Sequence, residues 1–198
     1  MRSIYIYGAS GHGLVVADIA KACGYDHIKF IDDGDNHYST FENISKQNNI
    51  PVALGIGDNI IRTKIYNNLK KAGFKIATLI SPSAIISPSA KVEEGSVVMP
   101  NVVVNAKAFI SKGVILNTAA VVEHECVIEE FVHISPNCAL AGDVKVDSYT
   151  HIGIGTNIIQ GIYIGKNTII GAGSTVVNNI GDNKKGYGTP CKVVQELF

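Results

Sequence analysis

The residues best equipped for chemistry are the consecutive Glu123-His124-Glu125. An imidazole can take a proton from an attacking amine or hydroxyl at neutral pH, and a neighbouring carboxylate fixes its tautomer and stabilises the imidazolium that forms. Such assistance typically raises a rate by about 10²–10⁴. Eighteen residues after His124 stands Gly142, and eighteen after His133 stands His151. The competing reading of His124 is a solvated surface histidine, and that reading suits Glu123, Glu129 and Glu130 better still.

The interval of eighteen has meaning because of a rhythm in the second half of the chain. From Ile80 to Val176, every sixth residue is Ile, Leu or Val. Four places after each comes a residue that is nearly always small, such as Ala84, Ser96, Ala108, Cys126 or Thr150, with Ile162 the large exception. A strand facing one core repeats every two residues and a helix every 3.6, so strict sixes fit neither. They fit a parallel β-helix of triangular section, in which three short strands make one turn of eighteen residues and residues eighteen apart stack. The repeat predicts about five turns. An ordinary β-sandwich would instead need a period of two and turns every 8–12 residues.

In that frame His124 and Glu125 point outward, and Gly142 lies one coil along from the histidine. The space over a residue without a side chain would admit a thioester, with the Gly142 N–H as an oxyanion donor. A zinc site on coil histidines is the weaker alternative: its usual pattern has two ligands five residues apart, whereas these histidines are nine and eighteen apart.

Residues 1–79 lack the sixfold pattern and predict a βαβ unit resembling half of a dinucleotide-binding domain. Residues 4–7 read as a buried strand, Gly8-Ala9-Ser10-Gly11-His12-Gly13 as a glycine turn, 14–23 as a helix stopped by Gly24, and 28–31 as a second strand ending in Asp32-Asp33. Residues 51–56 supply a third strand, and Asp58 caps a helix with Ile61, Ile65 and Leu69 on one face, closed by Gly73. A fourth strand is expected over 74–79, and residues 34–49 as loop with one helical turn. A glycine turn between strand and helix can turn its N–H groups toward a phosphate, and acids about twenty residues on suit ribose hydroxyls; tight packing of helix on strand explains the same glycines. Residues 80–180 then form the coil, and 181–198, with Gly188-Thr189-Pro190-Cys191-Lys192 and an apolar end through Phe198, form a capping tail.

Seventeen basic residues balance seventeen acidic ones, which removes any overall field for nucleic acid or anionic lipid. No apolar run approaches the ~20 residues of a membrane span, and no signal-peptide pattern opens the chain, so a cytoplasmic location is expected. Cys23, Cys126, Cys138 and Cys191 read as free thiols.

Together the glycine turn, Asp32-Asp33, Gly57-Asp58-Asn59 with Arg62, the hexad array and Glu123-His124-Glu125 resemble the bacterial sugar O/N-acyltransferases, hexapeptide-repeat enzymes built on a left-handed β-helix. The likeness is especially close from Gly113 through Asn117 and Thr118 to Ile128, within the branch that acetylates UDP-4-amino sugars in the bacillosamine pathway. The resemblance implies an acetyl-CoA-dependent N-acetyltransferase without a metal, in which His124 is the general base for the sugar's 4-amino group and Glu125 orients it. It implies sugar-nucleotide contacts from Gly8, Ser10, Gly11, His12, Gly13, Asp32, Asp33, Gly57, Asn59, Arg62 and Asn117. It further implies acetyl-CoA contacts from His133, Gly142, Gly153, Gly171, Gly173 and Lys192, and a homotrimer with each site between two coils. Cys191 stands where alanine is usual, and residues 34–49 align with nothing in the family. Acetyl transfer to a sialic-type hydroxyl or to a GDP-linked amino sugar stays open, as does a sugar-nucleotide-binding scaffold without activity.

Overall fold

The structure, a computed structural model, describes residues 1–44 and 49–197; residues 45–48 of the expected loop and Phe198 of the tail lie outside the described residues. The first element, β1 (Ser3–Tyr7), pairs in parallel with β2 (His27–Ile31) on one side and β3 (Val52–Leu54) on the other. Alternation in β1 divides two cores. Ile4 and Ile6 face α1 (Gly11–Ala22) and the coil behind it, while Tyr5 and Tyr7 join Tyr66, Leu69 and Phe74 on the opposite side. Gly13 is required where α1 meets β1, since a β-carbon there would come within 1.9 Å of the Gly8 carbonyl oxygen. A short helix, α2 (Phe41–Ile44), follows in the loop.

Helix α3 (Asn59–Lys71) starts where Asp58 accepts the Ile61 N–H at 2.8 Å. Its buried face is not the one expected. Asn59, Arg62, Tyr66 and Leu69 point inward and Ile61 is about half exposed, because the helix packs against coil corners that offer carbonyl oxygens as well as apolar surface. Likewise, residues 74–79 form no fourth strand of the sheet. They make one bridge, Val52 to Ile76, and Leu79 already belongs to the first coil.

From Leu79 to Val176 the chain winds through two-residue strands that stack into three parallel faces. The first face runs through Leu79–Ile80, Ile115–Leu116, His133–Ile134, His151–Ile152 and Ile169–Ile170; the second includes Val121–Val122 and Ala139–Leu140; the third includes Val127–Ile128 and Lys145–Val146. From Val98 onward the sixfold aliphatic residues and the small residues four places on are buried, each large one contributing roughly 1.5–3 kcal/mol, while Ile80, Ile86 and Val92 in the first turn are only partly buried. Six strands on the second face make about six turns rather than the five expected. The tail adds to the stack: Lys184–Tyr187 pairs with Ile169–Ile170, and Lys192–Glu196 returns antiparallel to cover the edge.

The corners carry a backbone rule. Every sixth residue from Gly95 to Gly173 adopts positive φ, including Asn101, Glu125 (61°), Phe131 and Asp143. The N–H of the residue just before each makes no main-chain hydrogen bond, which is why Pro100 and Pro136 fit there. His124 and Gly142 occupy that same place. Among the described residues, no helix is long and apolar enough to cross a membrane.

Candidate active site

His124 and Glu125 sit at the corner between the second and third faces. The left-handed φ of Glu125 turns its carboxylate back on its neighbour, and His124 Nδ1 lies 3.2 Å from Glu125 Oε2. Lys107, one coil before, approaches Glu125 at 3.6 Å. The Asp143 N–H donates to the His124 carbonyl at 2.9 Å and so holds the main chain of the histidine to the next coil. With Nδ1 engaged by a carboxylate, Nε2 is the nitrogen left to accept a proton.

The space over Gly142 is not vacant, as the sequence had suggested, but filled by the imidazole of His124. A β-carbon at Gly142 would come within 2.4 Å of His124 Cε1 and 2.5 Å of Nε2. The glycine therefore makes room for the ring, and a thioester would have to approach beside it. The Gly142 N–H stays outside the ladder, with no protein acceptor among the described residues.

His133 lies elsewhere, on the first face beneath the N-terminal unit. The corner that bears His124 is the vertex of the triangle opposite that face. One chain therefore does not bring His133 and Gly142 to one thioester, nor His124 to the glycine turn. His133 is 9% exposed, its ring 4.7 Å from that of His151 and 6.2 Å from that of His12. Burial, reinforced by His151, Arg62 and His12, pushes its pKa down to about 3. Burial and the Arg62 charge likewise bring His12 to about 4. The cluster is therefore neutral at physiological pH.

Arg62 and Asn59 do not line a substrate cleft. Arg62 is 0% exposed and donates to the carbonyls of Gly113 (2.8 Å), Phe131 (2.9 Å) and Gly57 (3.0 Å), and to Asn59 Oδ1 (2.8 Å). Asn59 Nδ2 reaches the Tyr149 carbonyl at 2.9 Å. These side chains clamp the N-terminal unit to the corners between the third and first faces, and burial lowers the Arg62 pKa to about 9. Gly57 serves the clamp through its carbonyl.

The cleft of the N-terminal unit, about 280 Å³, opens between β1 and α3 and is lined by Tyr7, Gly8, Asp32, Asp33, Ile61 and Lys64 among others. Both acids are already engaged. Asp32 accepts the N–H groups of Ala9 and Gly34, each at 2.9 Å, and the Ala9 bond leads in holding its pKa below the carboxylate norm. Asp33 accepts the Tyr7 hydroxyl and, at 2.8 Å, the Phe41 N–H. Ser10 caps α1 without a side-chain bond, and Gly11 would meet nothing if given a β-carbon, so this turn is open to a ligand. Lys64, Ile61 and Ile65 were not foreseen as site residues, although the apolar, exposed side chains on a capped helix next to Asp32-Asp33 were a usable signal.

Gly153 and Gly171 continue, at intervals of eighteen, the row begun by Asn117 and Ser135. A β-carbon at Gly153 would lie 2.6 Å from the Ile170 carbonyl oxygen, and one at Gly171 would lie 2.8 Å from Tyr187 Cβ, so close coil stacking already requires both. Gly173 is a positive-φ corner residue (67°), and Lys192 is exposed on the terminal strand. Among the described residues, no three His, Cys, Asp or Glu side chains converge as a metal site would need.

Fold and site define a left-handed parallel β-helix acyltransferase with an appended α/β unit, and the chain belongs to the hexapeptide-repeat sugar acyltransferase family. Residues 3–69 match the family described as PglD N-terminal domain, and residues 63–157 match the GlmU-like, C-terminal hexapeptide family. The structure of PerB from Caulobacter crescentus, in complex with CoA and GDP-perosamine, is 33% identical over 98% of this chain and 97% of its own, with a TM-score of 0.93. The acetyltransferase domain of PglB from Neisseria gonorrhoeae, in complex with acetyl coenzyme A, is 37% identical over 98% and 99% of the two chains, with a TM-score of 0.89. UDP-N-acetylbacillosamine N-acetyltransferase of Bacillus subtilis is 32% identical over 114 residues, so the match spans about half of each chain, 50% of this one and 52% of the relative.

Proposed function

We propose that the protein transfers the acetyl group of acetyl-CoA to the 4-amino group of a UDP-linked amino-dideoxy sugar. The observation that carries this reading is the His124–Glu125 pair over Gly142: one imidazole nitrogen meets a carboxylate and the other overhangs a glycine whose N–H is unused. The amine attacks the thioester carbonyl, a C–N bond forms, and the carbonyl oxygen takes up negative charge beside the Gly142 N–H. His124 Nε2 accepts the amine proton; the C–S bond then breaks, and that proton leaves with the thiolate as CoA thiol.

The sugar nucleotide is held in the Tyr7–Lys64 cleft and along the open turn at Ser10 and Gly11, with acetyl-CoA along the row through Gly153 and Gly171 toward Lys192. Because His124 is at the vertex opposite the N-terminal unit, the acceptor held by one copy meets the His124 corner of another, within a homotrimer. Coexpression of two inactive variants, His124→Ala and Gly8→Val, should then regain part of the activity in mixed assemblies. Gly8 suits this test because a β-carbon there would press on Ile56 at the cleft.

A GDP-linked amino sugar is the second reading, favoured by the likeness to PerB along the whole chain. Thiol release from acetyl-CoA, measured with UDP-4-amino, GDP-4-amino and sialic-type acceptors, tests the proposal. Fastest turnover with the UDP-4-amino sugar is expected. Saturable sugar-nucleotide binding without thiol release from any acceptor would mean a binding scaffold instead.

A further inference from the structure

The corner that carries His124 is one column of a stack: Lys107, Glu125, Asp143 and Gly161 follow at intervals of eighteen, with φ of 60°, 61°, 56° and 69°. Main-chain bonds stitch these corners together. The Glu125 N–H donates to the Ala106 carbonyl, the Asp143 N–H to the His124 carbonyl and the Gly161 N–H to the Gly142 carbonyl, each at 2.9 Å. Lys107 is held in turn by the coil before it, where its N–H donates to Ser89 Oγ at 3.0 Å. Equal backbone conformation in stitched coils sends equivalent side chains the same way, so residues eighteen apart meet. Two other pairs show the rule: the rings of Phe131 and Tyr149 stack at 6.1 Å and 7°, and Lys112 Nζ lies 2.7 Å from Glu130 Oε2.

Lys107 is thereby set against the carboxylate of Glu125, with Nζ 3.6 Å from Oε1, while Oε2 lies 3.2 Å from His124 Nδ1. Each oxygen has its own partner. On the other side of Glu125 the next corner presents Asp143, a like charge that is drawn to Lys145 at 3.5 Å. A glutamate has three side-chain torsions, so one contact to an exposed imidazole leaves its carboxylate free to swing; a cation on one side and an anion on the other narrow that choice. We propose that Lys107 is a positioning residue of the acetyl transfer. It holds Glu125 Oε1, so that Oε2 stays on His124 Nδ1 and Nε2 stays over Gly142 to face the acceptor amine. This rests on the reading of His124 as general base, but the placement of Glu125 by Lys107 does not.

The test is a kinetic cycle on the full chain, using whichever of the UDP-4-amino, GDP-4-amino and sialic-type acceptors is turned over fastest. An exposed ion pair is weak, so Lys107→Gln should lower kcat only about threefold to fivefold, with KM for both substrates and the melting temperature unchanged. Lys107→Arg should keep most of the parent rate, and Lys107→Glu, which repels Glu125, should lose roughly tenfold. In a Glu125→Gly background the Lys107→Gln change should have no further effect, because the lysine acts only through that carboxylate. An unchanged kcat, an equal loss in the Glu125→Gly background, or a raised KM with kcat retained would each overturn the proposal, the last by making Lys107 a substrate contact. A second measurement does not depend on turnover: ¹⁵N NMR of histidine-labelled protein at about pH 8, with His124 assigned from the resonances lost in His124→Asn. The proton should reside mainly on Nδ1 in the parent and be shared more evenly between the two nitrogens in Lys107→Gln. Identical His124 resonances in the two proteins would overturn the positioning role, whereas full activity in His124→Ala would overturn only the general base.

Discussion

The imidazole of His124 lies across Gly142, its Cε1 within 2.4 Å of where a β-carbon on that glycine would stand. The histidine proposed as general base and the glycine one coil on are thus a single steric unit. Gly142→Ala should displace the ring and lower kcat at least tenfold, while thermal stability changes little because an exposed side chain can move aside. His124→Ala should lower kcat by about 10²–10⁴ with substrate binding retained. Turnover within a few fold of the parent in the His124 variant would remove it from the mechanism.

Glu125 combines two demands, a left-handed backbone and a carboxylate beside Nδ1. Replacement by glycine should preserve or slightly raise stability, whereas alanine should cost about 1 kcal/mol relative to glycine. Both should reduce kcat, as the imidazolium loses its carboxylate. Urea melts set beside turnover numbers separate the backbone effect from the chemical one, and full activity in the glycine variant would contradict the orienting role.

Arg62 is a clamp, so its loss should appear in stability rather than in KM. Arg62→Met leaves buried carbonyls of Gly113, Phe131 and Gly57 without donors and should destabilise the fold by at least about 3 kcal/mol. A denaturation midpoint equal to that of the parent, together with a raised KM for the sugar nucleotide, would return Arg62 to the binding cleft.

The buried histidines predict acid sensitivity above the carboxylate range. The pKa values of His133 (about 3) and His12 (about 4) lie below the ordinary 6.5, so the unfolded chain binds protons that the folded rings refuse. Their contribution is complete above pH 6.5 and is lost as pH falls from there toward the folded values. At pH 5 the loss is roughly 2 kcal/mol per histidine. Denaturation midpoints at pH 7.5 and pH 5 should differ accordingly, and His133→Asn should flatten the dependence; equal midpoints in the parent would contradict it.

The repeat itself was open to reading because the triangular coil demands one inward aliphatic residue per strand and a small one near each corner, from Ile80 to Val176 without exception in the first class. The positive φ at the corners from Gly95 to Gly173 is not legible in the residues, since Asn101, Lys107 and Glu125 share no side-chain type; only their backbone geometry unites them. In the N-terminal unit the strand and helix alternation is legible, but the buried face of α3 is turned so that Arg62 and Asn59 join Leu69 inside while Ile61 is half exposed. Ile61, Ile65 and Leu69 share one face by spacing, and the family resemblance implies Arg62 and Asn59 as site residues, yet the coil corners offer buried carbonyls that the guanidinium and the amide satisfy.

What the residues alone determined is the winding of the second half and the stacking of residues eighteen apart, because a period is a local property that each coil repeats. Which stacked spaces are empty was decided only by the tertiary structure: the His124 ring folds over Gly142, and the N-terminal unit seals His133 beneath it. Both follow from packing between segments distant in the chain, where side-chain volume and hydrogen-bonding need are settled by neighbours that no repeat specifies.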